Sequence, residues 1–349
     1  MSLFDRDRSA ERIPVSLVTG FLGSGKTTLL NHLLRHPDMA DSAVIVNEFG
    51  EIGLDHLLMA PVSGEVAILA NGCVCCTVRS DLEATLRELL AGRDNGAVPP
   101  FSRVLIETTG LADPAPIVQM LLNNPLVSHF ARLDAVVTTV DAVHAADQFK
   151  RQPQAVKQAA IADRLVLTKT DLIDAAPVRQ QLRAVNAAAP ILTVLHGAVD
   201  PGDLFGAALF DPATQSANVQ RWLNAQAYHD HHHDHAHTDA EHADDHTHGV
   251  TSFYLRFENP LDWDAVARWL SALRHWRGEA LLRVKGILTL HGEDSPVAIH
   301  GVHHVFHPPV RLQGWPDGDR GSRVVFITQG LSRAEVLAVA AECGLSNTT

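Results

Sequence analysis

Short, nearly unbroken apolar runs recur through the first two hundred residues: VSLVT (15–19), AVIVN (43–47), VAILA (66–70), RVLIE (103–107), DAVVTTV (134–140), RLVLT (164–168) and PILTV (190–194). Stretches with apolar positions at helical spacing lie between them. Strands without polar alternation are covered on both faces, and strands spaced by helices pair in parallel. The pattern therefore predicts an α/β domain with a doubly wound, mostly parallel sheet. A different pattern follows residue 250. SFYLRFE (252–258) precedes a helix with Val266, Leu270 and Leu273 on one face. Strand-like ALLRVKGILTL (280–290), PVAIHGVHHVF (296–306) and RVVFITQ (323–329) come next, and a last helix is opened by Ser332 with Glu335 as a capping box. That order predicts a smaller α+β domain, and no internal repeat is visible.

Between the two patterns lies HDHHHDHAHTDAEHADDHTH, residues 229–248, with nine of the 21 histidines, six acidic residues and no Lys or Arg. Such a tract cannot bury a core and reads as a linker. The predicted organisation is thus 1–210, a linker at 211–250, and 251–349. Imidazoles at His229, His231, His232, His233, His235, His237, His242, His246 and His248 make the tract a candidate auxiliary site for divalent ions. The formal charge of −12, half of it in this tract, argues against nucleic acid as a partner. The opening MSLFDRDRSAER is polar, and no apolar run approaches the roughly 20 residues that span a bilayer. A cytoplasmic protein without membrane insertion is expected.

The first strand feeds GFLGSGKTT, Gly20 to Thr28, which fits GxxxxGKT with a strand before and a helix after. Gly20, Gly23, Ser24 and Gly25 allow backbone N–H groups to turn inward around phosphates, and the helix that follows adds its N-terminal dipole. Lys26 supplies a charge for the β- and γ-phosphates, the Thr27 hydroxyl can hold Mg²⁺, and Thr28 ends the candidate nucleotide-binding stretch. In RVLIETTGLADP, Glu107 ends a strand and Gly110 follows three residues later. A carboxylate there can hold Mg²⁺, and the Gly110 N–H can sense a γ-phosphate. Chemistry on a nucleoside triphosphate is thereby placed on Lys26, Thr27 and Glu107. The bland alternative is a strand end followed by a Thr-Thr helix cap.

After RLVLT comes TKTD, where Lys169 and Asp171 match NKxD and Thr168 stands in place of Asn. A carboxylate at 171 accepts from the N1–H and 2-amino group of guanine, which adenine cannot offer. The alternative is a helix N-cap at Asp171.

Three of the four cysteines, Cys73, Cys75 and Cys76, fall in NGCVCCTVRSDL, at the carboxyl end of a predicted strand and ahead of a helix expected to be capped by Ser80 and Glu83. A redox pair prefers CxxC, and adjacent cysteines make a strained bridge. Three thiolates suit Zn²⁺, or Co²⁺ and Cu⁺ as competitors, while buried free thiols are the competing reading.

Together, GFLGSGKTTLL, NEFGEIGLD (47–55), NGCVCCTVRSDL, IETTGLADPAP (106–116) and LTKTDL (167–172) resemble the CobW-type metallochaperone GTPases, relatives of the nickel-insertion GTPases of urease and hydrogenase maturation. LLRVKGIL (281–288) and the histidine tract are similar to the same family more loosely. The resemblance implies a GTP- and Mg²⁺-dependent GTPase that carries zinc or cobalt on Cys73, Cys75 and Cys76 and delivers it to a client apoprotein. Val46, ahead of Asn47, offers no carboxylate, so a further ligand would come from Glu48 or Glu51. Another copy of the chain is a second possible partner. A metal store or sensor with a regulatory nucleotide site, and a P-loop kinase for a small molecule, are the alternative functions.

Overall fold

The computed structural model describes residues 12–46, 68–69, 78–206, 247–312, 314–315 and 319–346. The first unit runs β1 (Ile13–Gly20), α1 (Lys26–Leu33), β2 (Ser42–Val46), β3 (Ile68–Leu69), α2 (Val78–Asn95), β4 (Arg103–Glu107), α3 (Ala115–Asn123), α4 (Pro125–Phe130), β5 (Ala131–Asp141), α5 (Ala145–Arg151), α6 (Pro153–Ala160), β6 (Arg164–Thr168), α7 (Ala176–Val185), β7 (Ile191–Val194) and α8 (Pro201–Leu204). Its strands form one seven-stranded sheet in the order β3-β2-β4-β1-β5-β6-β7, parallel throughout.

The unbroken apolar runs have the predicted physical cause. Alternate residues of one strand enter different cores: Val15 and Leu17 pack with α2, α3, α6 and α7, whereas Val18 packs with Leu29, Leu30 and Leu33 of α1. Each fully buried side chain of this kind contributes about 1.5–3 kcal/mol. Register aligns the strand ends. Val18 pairs with Glu107, Gly20 with Thr139 and Asp141 with Thr168, so the carboxyl ends of β4, β1, β5 and β6 lie side by side, the edge where open α/β sheets bind ligands.

The second unit contains β8 (Val250–Phe257), α9 (Trp263–Arg277), β9 (Leu281–Leu288), β10 (Val297–Val302), β11 (Val305–Phe306), β12 (Val310–Arg311), β13 (Ser322–Gln329) and α10 (Arg333–Glu342). Its antiparallel sheet runs β11-β10-β9-β13-β8, with β12 on β10. One face packs on α9 and α10, where Val266, Leu270 and Leu273 are buried as predicted and the Trp269 indole N–H donates to Val336 O at 3.1 Å. The Ser332–Glu335 capping box forms as read. The other face meets the first unit: Val250, Leu282, Val302, Val305 and Ile327 share a core cluster with Val118, Val156 and Ile161.

Two local readings change. PVAIHGVHHVF is not one strand, because His303 takes φ 52° and turns the chain into the β10–β11 hairpin. The helix expected to start at Ser80 already includes Val78, since nothing in VRS opposes helical hydrogen bonding, so Ser80 lies within its first turn. Among the described residues no helix is long and apolar enough to cross a membrane.

Candidate functional site

The loop after β1 is shaped by close backbone approach. Gly20 has φ 140°, and a Cβ there would overlap the backbone oxygen of Thr139 on β5, so only glycine fits. The Ser24 N–H donates to Phe21 O at 3.2 Å, closing the turn, and the Ser24 hydroxyl bonds with the Thr139 hydroxyl at 2.6 Å. Gly23 lies at the exposed crest of the loop. Gly25 precedes α1 in a left-handed conformation and offers no side-chain cap, which leaves the helix N-terminus to an external acceptor. Buried Lys26 folds over the loop and donates to Gly20 O at 3.0 Å and Phe21 O at 3.2 Å. Thr27 donates its hydroxyl to Glu107 Oε1 at 2.9 Å, and Thr28 is an exposed residue of α1.

Glu107 is buried at the end of β4, so its carboxylate is aimed by the strand rather than by a loop. A hydroxyl and a carboxylate held together beside a phosphate-type loop are a donor set that fits Mg²⁺. The Thr-Thr cap alternative fails: Thr108 donates its N–H to Val18 O at 3.0 Å and its hydroxyl to Thr19 Oγ1 at 2.8 Å, and no helix starts before Ala115. Gly110 is where this segment meets the first loop. A Cβ on Gly110 would lie 2.7 Å from Leu22 N and 2.8 Å from Leu22 Cα.

The segment after β6 braces the same loop from the other side. The Thr168 hydroxyl donates to Ser24 O at 3.0 Å and Val140 O at 3.2 Å, which gives the residue standing in for Asn a structural task. Lys169 adopts φ 57°, a conformation that costs a non-glycine residue about 1–2 kcal/mol. Its ammonium donates to Gly23 O at 2.9 Å and to Asp141 Oδ2 at 2.7 Å. Asp171 is exposed in the turn that follows, where the Leu172 N–H returns to Lys169 O. The next helix begins only at Ala176, so Asp171 is no helix cap.

Asp141 escaped the sequence reading, although a carboxylate closing an apolar strand at the level of Gly20 was a usable signal. It is 1% exposed and also accepts from the Val143 N–H at 2.9 Å and bonds His144 Nδ1 at 2.8 Å. Burial alone would raise its pKa, but the hydrogen bonds from Lys169 and His144 hold it below the ordinary value.

Several expected site residues lie outside the described residues: Cys73, Cys75, Cys76, Glu48, Glu51, and His229, His231, His232, His233, His235, His237, His242 and His246. His248 is described. It has φ 48° just before β8, and its backbone oxygen accepts from the Gln329 amide at 3.0 Å. Among the described residues no cluster of three His, Cys, Asp or Glu side chains could hold a metal ion.

Comparison with known proteins bears on the whole chain. The family profile described as CobW/HypB/UreG, nucleotide-binding domain, matches residues 14–193, and the cobalamin synthesis protein cobW C-terminal domain profile matches residues 250–343. The zinc chaperone YjiA of Escherichia coli (strain K12) is 35% identical over 327 residues, 93% of this chain and 97% of the relative. The zinc chaperone CobW of Pseudomonas aeruginosa is 31% identical, covering 94% of this chain and 91% of that one. The crystal structure of Zn(II)-bound YjiA GTPase from E. coli superposes with a TM-score of 0.69 at 32% identity, covering 96% of this chain and 99% of that chain.

Proposed function

The chain belongs to the CobW/HypB/UreG family and is a GTPase of it; from that premise we propose that it uses GTP to load zinc and release it to a client apoprotein. The observation that carries the nucleotide half is the pairing of Thr27, in the first turn of α1, with Glu107 at the end of β4, beside Lys26 at one sheet edge. In this reading GTP lies along Gly20 to Thr28. Lys26 leaves its carbonyl partners for the β- and γ-oxygens, and Gly110 borders the γ-phosphate. Thr27 and Glu107 would hold Mg²⁺, which when bound would supply neutralisation of charge on the phosphates. Asp171 reads the guanine edge, and Lys169, tethered to Gly23 and Asp141, lies along the base.

Zinc is cargo in this scheme. The names of the relatives support it over cobalt, and Cys73, Cys75 and Cys76 supply thiolates that suit it. Three thiolates leave an incomplete tetrahedron, which favours transfer over permanent retention.

The test is a competition titration of zinc and cobalt against a chromophoric chelator, with a nonhydrolysable GTP analogue and with GDP. Zinc is expected to bind more tightly in the GTP-analogue state, and by reciprocity zinc should raise affinity for the analogue by the same factor. Replacing Cys75 and Cys76 by serine should abolish the tight site, and Lys26→Ala should abolish turnover. Equal zinc affinity in both nucleotide states would end the delivery reading while leaving the GTPase intact.

A further inference from the structure

The loop that follows Glu107 is held by one side chain from another helix. Gln158 of α6 is fully buried, and its amide donates to Gly110 O at 3.2 Å and to Ala112 O at 2.9 Å. Two facing carbonyls require the amide nitrogen on that side, so the orientation of the group is fixed by its partners. Gln158 is itself anchored: the Thr138 hydroxyl on β5 donates to its backbone oxygen at 2.8 Å. The end of α6 is closed by Asn186, whose amide donates to the backbone oxygens of Ala159, Ala160 and Ala162 at 3.0–3.1 Å.

This anchorage acts on a residue otherwise free to move. Glycine has the widest choice of backbone torsions, and fixing the carbonyl of Gly110 removes one of the two. The backbone of Leu22 then limits the other side, 2.7–2.8 Å from where a Cβ would sit. Gly110 is thus confined between the phosphate-type loop and Gln158.

We propose that Gln158 is a positioning residue for GTP hydrolysis: by holding Gly110 O and Ala112 O it presets the Gly110 N–H for the γ-phosphate. The proposal rests on the reading of Gly110 as the γ-phosphate contact. It bears on a contact that GTP makes and GDP cannot, because GDP has no γ-phosphate for that N–H to meet.

The experiment measures affinity of the full-length protein for GTPγS and for GDP, with turnover and the thermal midpoint alongside. Gln158→Leu keeps much of the volume and removes both donors. GTPγS affinity is expected to fall about 10-fold, equivalent to about 1.4 kcal/mol, with GDP affinity within about 2-fold of the intact protein. The turnover number should fall more than KM rises. Should Gln158→Leu fail to fold, Gln158→Asn, which keeps the amide but is one methylene too short to span both carbonyls, carries the same expectation. GTPγS and GDP affinities that fall together, or that both stay put, overturn the proposal and leave Gln158 a packing residue. Gly110→Ala distinguishes the premise, since its methyl group must displace the loop from Leu22. If Gly110→Ala loses the preference for GTPγS while Gln158→Leu keeps it, the proposal alone falls. If Gly110→Ala leaves that preference unchanged, the γ-phosphate reading of Gly110 falls with it.

Discussion

Two aspartates sit at opposite ends of the same sheet and carry the same kind of partner. Asp141 closes β5 at the carboxyl edge and accepts from Lys169, whose side chain is 39% exposed. Asp163 precedes β6 at the amino edge, where it accepts from the Val136 N–H at 3.0 Å, from Lys285 at 2.7 Å and from Arg283. There the partners come from β9 of the second unit, and all three side chains are at most 10% exposed. Burial opposes the charge on both aspartates, yet attraction to Arg283 and Lys285 drives the Asp163 pKa well below its ordinary value. The difference lies in water. An ion pair that water reaches contributes about 0–1 kcal/mol and can exchange partners, whereas breaking a sealed one by removing one partner costs about 3–5 kcal/mol. One edge keeps its charges available for a ligand, and the other uses them to seat a domain.

The largest expected effect tests that division directly. Asp163→Ala should destabilise the fold by about 3–5 kcal/mol, because it removes the carboxylate of a sealed ion pair with buried Arg283. Chemical denaturation would read this, and an unchanged midpoint would erase the contrast between the edges. Asp171→Asn comes next. It should weaken GTP by about 1.5–3 kcal/mol, the value of hydrogen bonds to a charged group, and improve xanthosine triphosphate, whose 2-oxo group suits an amide donor. Calorimetric titration with both nucleotides checks it, with little change expected in stability. Asp141→Ala should be milder still. Lys169 keeps Gly23 O but loses its carboxylate, so GTP and GDP should weaken alike by roughly 1 kcal/mol, unlike the selective loss expected at Gln158.

A last effect is read against pH. Burial, aided by repulsion from Arg283 and opposed by Asp163, pushes the Lys285 pKa down to about 7, while an unfolded lysine titrates near ~10.4. Between those values the unfolded chain holds the extra proton, so this group makes stability rise as pH increases from about 7. The thermal midpoint of the intact protein should gain between pH 7 and 9 relative to Lys285→Met. A parallel pH profile in the two proteins would remove Lys285 from the account.

The sheet, the phosphate-type loop and the Glu107–Gly110 segment were legible in the sequence because each is written locally, in periodicity or in a nine-residue motif. Their mutual bracing was not. Thr168 reaches Ser24 across 144 positions, Gln158 reaches Gly110 across 48, and Asp163 meets Lys285 across 122. Nothing in a local pattern marks such partners, so Thr168 read only as a stand-in for Asn in NKxD and Gln158 carried no signal. Asp141 was missed for a related reason: the strand was taken to end at Val140, one residue short of the carboxylate that completes it.

The seam between the two sheets has a consequence for how the protein melts. Val118, Val156 and Ile161 lie in one cluster with Val250, Leu282, Val302, Val305 and Ile327, so neither unit owns that apolar surface. Cutting the chain there would give each fragment an uncovered face and uncompensated charge, Asp163 in one and Arg283 and Lys285 in the other. Heat should therefore find a single cooperative unit: one calorimetric peak whose measured enthalpy equals its van't Hoff enthalpy, where the sequence pattern counts two domains.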